Sequence, residues 1–120
     1  MKNSKSHDEK FATMLLATVY PLYIKKIERK GRTIDELNEV INWLTGFSSI
    51  DIQNQIERKT TFETFFEEAK FNPNAFQIKG VICGYRIEEI ENPLTQKVRI
   101  LDKLVDDLAK GKKIEKIIIH

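Results

Sequence analysis

Apolar residues recur along much of this chain at the three- and four-residue spacing of an amphipathic helix, and the clearest case lies within residues 31–48. Leu37, Val40, Ile41 and Leu44 follow the i, i+3, i+4, i+7 pattern of one helix face. Thr33 and Glu36 have the spacing of a capping box, in which each side chain satisfies a backbone N–H near the other. Gly46 can adopt the left-handed conformation that ends a helix, so the pattern predicts a helix over 33–45. Ser48 then caps a shorter helix over about 49–58, with Phe47 and Ile52 placed as a hydrophobic staple and Ile56 one turn beyond.

The same reading extends in both directions. Ser6 and Glu9 are spaced to cap a first helix reaching about Val19, with Phe11, Leu15 and Val19 on one side. Pro21 lacks the N–H that a helix interior requires, which predicts a break at Tyr20 and a second helix starting at Pro21 and carrying Leu22, Ile24 and Ile27. Thr60 and Glu63 repeat the capping-box spacing ahead of Phe62, Phe65, Phe66 and Ala69. Asn72-Pro73-Asn74 signals a turn. Residues 78–90 fit both periods: Val81, Cys83, Tyr85 and Ile87 alternate like a strand, while Ile78, Val81, Ile82 and Tyr85 suit a helix. A strand needs a partner, and only the short apolar run 114–119 offers one, so this segment is read as a buried helix. A strand pair of 81–87 with 114–119 is the minor alternative. Asn92-Pro93 supplies a cap and a first-position proline for a helix whose seam is Leu94, Val98, Leu101, Val105 and Leu108. Gly111 ends that helix, and residues 114–119 form a last apolar turn.

The fold class expected is therefore all-α: one compact helical bundle of five to seven helices over 10–120, preceded by a flexible tail over 1–9. Length agrees, since 120 residues suit one domain with a real core. With 41% apolar and 32% charged residues the composition is that of a globular chain. The net charge of +2 sets up no global field that demands a polyanion. No apolar run reaches the roughly 20 residues of a membrane span, and residues 1–10 lack the apolar core of a secretion signal. Cys83, the single cysteine, has no internal disulfide partner, which fits a reducing, cytoplasmic setting.

A series of short motifs occurs in fixed order along the chain. They are Tyr20-Pro21, Lys30-Gly31-Arg32-Thr33, Trp43-Leu44-Thr45-Gly46 and Phe62-Glu63-Thr64-Phe65-Phe66, then Lys79-Gly80-Val81-Ile82-Cys83-Gly84. Glu88-Glu89-Ile90-Glu91 with Pro93-Leu94, Leu101-Asp102-Lys103-Leu104-Val105-Asp106, Ala109-Lys110-Gly111-Lys112 and Glu115-Lys116-Ile117 complete the series. From about residue 10 onward the chain resembles a bacterial family catalogued as domain of unknown function 2200. The resemblance implies a small stand-alone cytoplasmic protein, and it brings no catalytic or binding residue with it.

Candidate chemistry is sparse. Cys83 among Val81, Ile82, Gly84 and Tyr85 reads as an inert buried thiol, and His7 and His120 stand at the chain ends, so no thiol–imidazole pair is visible. No Cys or His pair has metal-ligand spacing, and no cofactor fingerprint is present. Glu88, Glu89 and Glu91 form the densest acidic cluster, a candidate for a carboxylate-dependent enzyme site beside Tyr85 or, more simply, a solvated face. Lys25, Lys26, Arg29, Lys30 and Arg32 form a basic cluster that complements a helix C-terminus or contacts a phosphate backbone, a surface that Lys110, Lys112, Lys113 and Lys116 would extend. The helix–turn–helix spacing of 33–58 would offer Gln53, Asn54, Gln55 and Arg58 to base edges, although Asp51 and Glu57 weaken its charge. Trp43 and the Phe62, Phe65, Phe66 stripe have core spacing.

With no catalytic constellation visible, the expected function is a non-enzymatic interaction or regulatory module. A protein partner is favoured over nucleic acid, no membrane is involved, and self-association through the seam 94–108 or the run 114–119 is a further outcome.

Overall fold

The computed structural model describes residues 5–118, with side chains from Asp8 onward. The expectations for residues 1–4 and for the end of the 114–119 run lie outside those described residues, whereas the chain is already helical at Lys5, so Ser6 lies within the first helix and does not cap it. Seven helices occur in the described chain: α1 (Lys5–Thr13), α2 (Leu16–Glu28), α3 (Ile34–Thr45), α4 (Ser49–Glu57), α5 (Phe62–Glu68), α6 (Pro93–Ala109) and α7 (Ile114–Ile117). A hairpin of β1 (Val81–Ile82) and β2 (Tyr85–Arg86) lies between α5 and α6. The all-α reading holds, and α6 is its centre, packed against α1, α2, α3, α5, α7 and the hairpin. Val98, Ile100, Leu101, Leu104, Val105 and Leu108 of α6 are all buried, so its apolar seam is covered within the chain itself.

Helix α3 follows its sequence signals closely. Thr33 accepts from the backbone N–H of Glu36, and the Glu36 carboxylate accepts from that of Thr33. Gly46 closes the helix at φ 78°. The last carbonyls of α3 are all taken: Ile41 by the Thr45 hydroxyl, Asn42 by Gly46 N–H, Trp43 by the Asn72 amide, Leu44 by Asn72 N–H and Thr45 by Lys70 N–H. The chain leaving α5 is thereby laced to the end of α3. Ser48 and Asp51 form a second capping box at α4, and Asn92 caps α6 ahead of Pro93.

Three further expectations are corrected. The first break falls at Met14–Leu15 rather than at Tyr20, and Pro21 sits exposed inside α2. The break is set by distant chain: Leu16 N–H donates to Thr60 C=O, and Phe62 N–H donates to Met14 C=O. Each bond satisfies a first-turn N–H that its own helix cannot, which fixes the starts of α2 and α5 together. Leu22 consequently points outward at 57% exposure. At α5 the cap is Thr61, whose hydroxyl accepts from Thr64 N–H, while Thr60 is buried one residue earlier.

Residues 78–90 are not a helix. Val81 pairs with Arg86 and Ile82 with Tyr85, so the strand partner lies within the segment and not in 114–119, where α7 forms instead. The two turn residues, Cys83 at φ 52° and Gly84 at φ 84°, both occupy the left-handed region that a tight two-residue hairpin turn requires. Cys83 is therefore exposed at the tip, not buried. A cysteine at positive φ carries steric strain that asparagine bears better. Cys83→Asn is expected to raise stability by about 1 kcal/mol, read from denaturant midpoints; a drop in stability would contradict the turn described.

Candidate functional site

The helices α2 and α6 end at the same edge of the molecule, because Tyr23 meets Asp102 and Lys26 meets Asp106 in parallel order. The basic cluster sits at this edge. Lys25, Arg29 and Lys30 are exposed and have no carboxylate partner among the described residues. Lys26 lies 3.2 Å from Asp106, and Arg32 bonds to Glu36 and donates to the Lys112 carbonyl at 2.8 Å. That last bond joins the loop after α2 to the loop after α6.

The end of α6 carries the adjacent pair Asp106 and Asp107, and each carboxylate is shared by two lysines. Asp106 holds Lys26 and Lys110, whereas Asp107 holds Lys103 at 2.9 Å and Lys112 at 3.7 Å. Partial burial opposes the Asp106 charge, but hydrogen bonds from Lys110 and Lys26 carry its carboxyl below the ordinary range. The bond to Asp106 raises the Lys110 ammonium in turn. Two carboxylates thus organise four lysines without cancelling them. Lys79, Lys113 and Lys116 add cations that have no carboxylate partner among the described residues. Lys79, Lys103, Lys112 and Lys116 line one cavity of about 190 Å³ beside Asp107.

Lys79 and Lys103 were missing from the candidate set drawn from the sequence. Lys79 reaches this edge because 78–90 turns back as a hairpin; the i, i+4 spacing of Lys103 and Asp107 was the one signal for Lys103.

The acidic cluster has a different character. Glu88 turns back to accept from Gly80 N–H and lies 3.9 Å from Arg86. Hydrogen bonds from its own backbone N–H and that of Gly80 hold its carboxyl below the ordinary range, the direction opposite to that of a general acid. Glu89 and Glu91 are exposed, and among the described residues no group of three or more His, Cys, Asp or Glu could hold a metal ion. On α4, Gln53 and Asn54 are exposed, but Gln55 is buried and donates to Glu68 at 2.8 Å, and Arg58 pairs with the same carboxylate. Two of the four side chains proposed for base edges are thus committed to α5. Trp43 and the three phenylalanines of α5 belong to the core or pack against it.

A buried polar node ties α1, α2, α6 and the hairpin together. The Tyr23 phenol donates to Asp102 at 2.5 Å, and Asp102 lies 3.3 Å from Arg99. The Arg99 guanidinium lies over the rings of Phe11 and Tyr85, at 4.6 and 5.5 Å from their centroids. Burial pushes the Asp102 carboxyl up against the opposing pull of Tyr23 and Arg99, and burial next to that carboxylate pushes the Tyr23 phenol well above its usual 10.0. A phenol with a raised folded-state pKa contributes stability in full below its ordinary value and loses it as pH climbs beyond that value. Tyr23→Phe is expected to cost about 1–2 kcal/mol at neutral pH and to flatten the decline in stability above about pH 10. Denaturant midpoints against pH measure both effects, and an unchanged alkaline slope would contradict the assignment.

The sequence model of a bacterial family described as "Uncharacterized protein conserved in bacteria (DUF2200)" matches residues 10–119. The chain is also similar to a crystal structure of uncharacterized protein SP1917, at 44% identity and a TM-score of 0.84, with 91% of this chain and 90% of that one covered. No curated protein matches. Among the described residues no helix is long and apolar enough to cross a membrane.

Proposed function

The chain belongs to the bacterial family DUF2200, and on that footing we propose that it is a non-enzymatic interaction module that holds a nucleic-acid phosphate backbone against its basic edge. The observation that carries this reading is the convergence of cations from three parts of the chain. Lys25, Arg29 and Lys30 come from the end of α2, Lys110, Lys112, Lys113 and Lys116 from the end of α6 and beyond, and Lys79 from the segment before the hairpin. Two helix C-termini need some compensating charge. Cations left without carboxylate partners exceed that need and are free to neutralise phosphates, releasing the counterions bound there. The partnered lysines stay fixed in place, which lowers the ordering cost of binding.

This mode reads charge, not sequence. Gln55 and Arg58 are tied to Glu68, so α4 keeps too few free polar side chains for base discrimination. The reading gives Glu88, Glu89 and Glu91 no catalytic part. A protein partner is the second reading, and one observation favours it. Phe76, half exposed, packs 5.0 Å from Phe71, which leads through Phe66 to the core beside a groove lined by Glu63, Glu67 and Leu94.

Anisotropy of a labelled single-stranded oligonucleotide at several salt concentrations tests the proposal. Affinity is expected to fall steeply with salt, with a log–log slope steeper than about −2. Lys25→Glu with Arg29→Glu should weaken binding by at least about tenfold and make the slope shallower by about one to two. Gln53→Ala with Asn54→Ala should leave affinity within about twofold. Absence of binding at low salt would overturn the reading, and a Phe76→Ala defect in capture of a protein partner would then favour the second one.

A further inference from the structure

We infer that the cavity between α6, α7 and the segment before the hairpin is a discrete site for a phosphate monoester, the dianionic terminal group of a phosphorylated molecule. The inference rests on the reading above in placing the partner's charge at this edge, but it concerns one half-open cavity and not the whole surface. Its volume is about 190 Å³, and Lys79, Lys103, Lys112 and Lys116 line it together with Asp107 and Gln77. Ile78, Leu104 and Ile117 complete the wall, and these apolar side chains strengthen the field inside.

The cavity gathers more positive than negative charge. Asp107, with a side chain 12% exposed, has one oxygen 2.9 Å from Lys103 and the other 3.7 Å from Lys112. It holds two of the ammonium groups. Lys79 and Lys116 supply the other two, and neither has a carboxylate partner among the described residues. Four ammonium groups against one carboxylate leave an excess that a dianion matches better than the single charge of a diester. A monoester also ends in three free oxygens, enough for several lysines to bond at once, whereas a diester offers only two.

Gly80 serves the same arrangement. A Cβ at this position would come within 3.3 Å of the Lys103 Cε, and φ 130° is a conformation other residues rarely adopt. The flexible Lys103 side chain can yield the few tenths of an ångström that such a contact asks for, so it is the backbone conformation that favours glycine here, and glycine leaves Lys103 unobstructed on its way to Asp107.

The test compares one short oligonucleotide carrying a 5′-phosphate with the same oligonucleotide ending in a 5′-hydroxyl, alongside inorganic phosphate and a nucleoside 5′-monophosphate. The phosphorylated strand is expected to bind about tenfold more tightly, the worth of one or two additional charge-assisted hydrogen bonds. Inorganic phosphate and the monophosphate should both shift the backbone amide resonances of residues 77–79 and 112–117. Lys79→Gln with Lys116→Gln, both exposed, should abolish the preference for the 5′-phosphate. Lys25→Glu with Arg29→Glu should weaken both strands equally and leave that preference intact. Equal affinity for the two strands, with no shifts from phosphate, would overturn the pocket while leaving the backbone-binding reading in place. Phosphate shifts at these amides without binding of either strand would uphold the pocket for small phosphate esters and remove the nucleic-acid reading.

Discussion

Helix α6 must bury apolar side chains around most of its circumference, and the remaining elements are arranged to let it. Val98, Leu101, Val105 and Leu108 form the seam, while Ile100 and Leu104 carry apolar surface beyond it. A helix apolar on that many sides is stable only when wrapped, here by α1, α2, α3, α5, α7 and the hairpin. The hydrophobic contribution is large, at about 1.5–3 kcal/mol for each fully buried aliphatic side chain. The polar residues that α6 does carry are drawn into the seams between helices: Asp102 to Tyr23, Arg99 between Phe11 and Tyr85, Asp106 to Lys26.

The side chains that other elements bring to the two ends of α6 differ in sign. Asp8, which accepts from the Thr95 hydroxyl, lies near the N-terminus, and Glu9 and Glu63 share a cavity there with Asn92 and Leu94. Lysines crowd the C-terminus. Both placements complement the helix dipole. A net charge of +2 therefore conceals a polarised molecule, with one edge suited to an anionic partner. The site follows from the fold: the parallel run of α2 and α6 brings the cations after Tyr23 beside those after Asp102.

Local signals in the sequence were legible wherever their partners lay within a few residues. The Thr33–Glu36 capping box, the Ser48 cap, Gly46 and Asn92-Pro93 needed nothing distant to be read. Signals decided by remote chain were not. The break at Met14–Leu15 depends on Thr60 and Phe62, more than forty positions away, so Pro21 drew the boundary in its place. The hairpin was hidden because its first turn residue is Cys83, where a tight turn ordinarily advertises itself with asparagine or aspartate. Missing the hairpin also hid Lys79 and the exposure of Cys83. Of the site, the cluster Lys25, Lys26, Arg29, Lys30 and Arg32 and its extension into the last lysines were visible as composition, but Lys103 and the roles of Asp106 and Asp107 required the packing of α6.

The most direct measurement of the account is a map of backbone amide shifts as a short single-stranded oligonucleotide is titrated into the isotopically labelled protein. The account predicts perturbations gathered at residues 25–32, 77–80 and 103–117, fading together as salt rises. Shifts centred on Phe71 and Phe76 or on the acidic end near Asp8 and Glu63, or none at low salt, would contradict it.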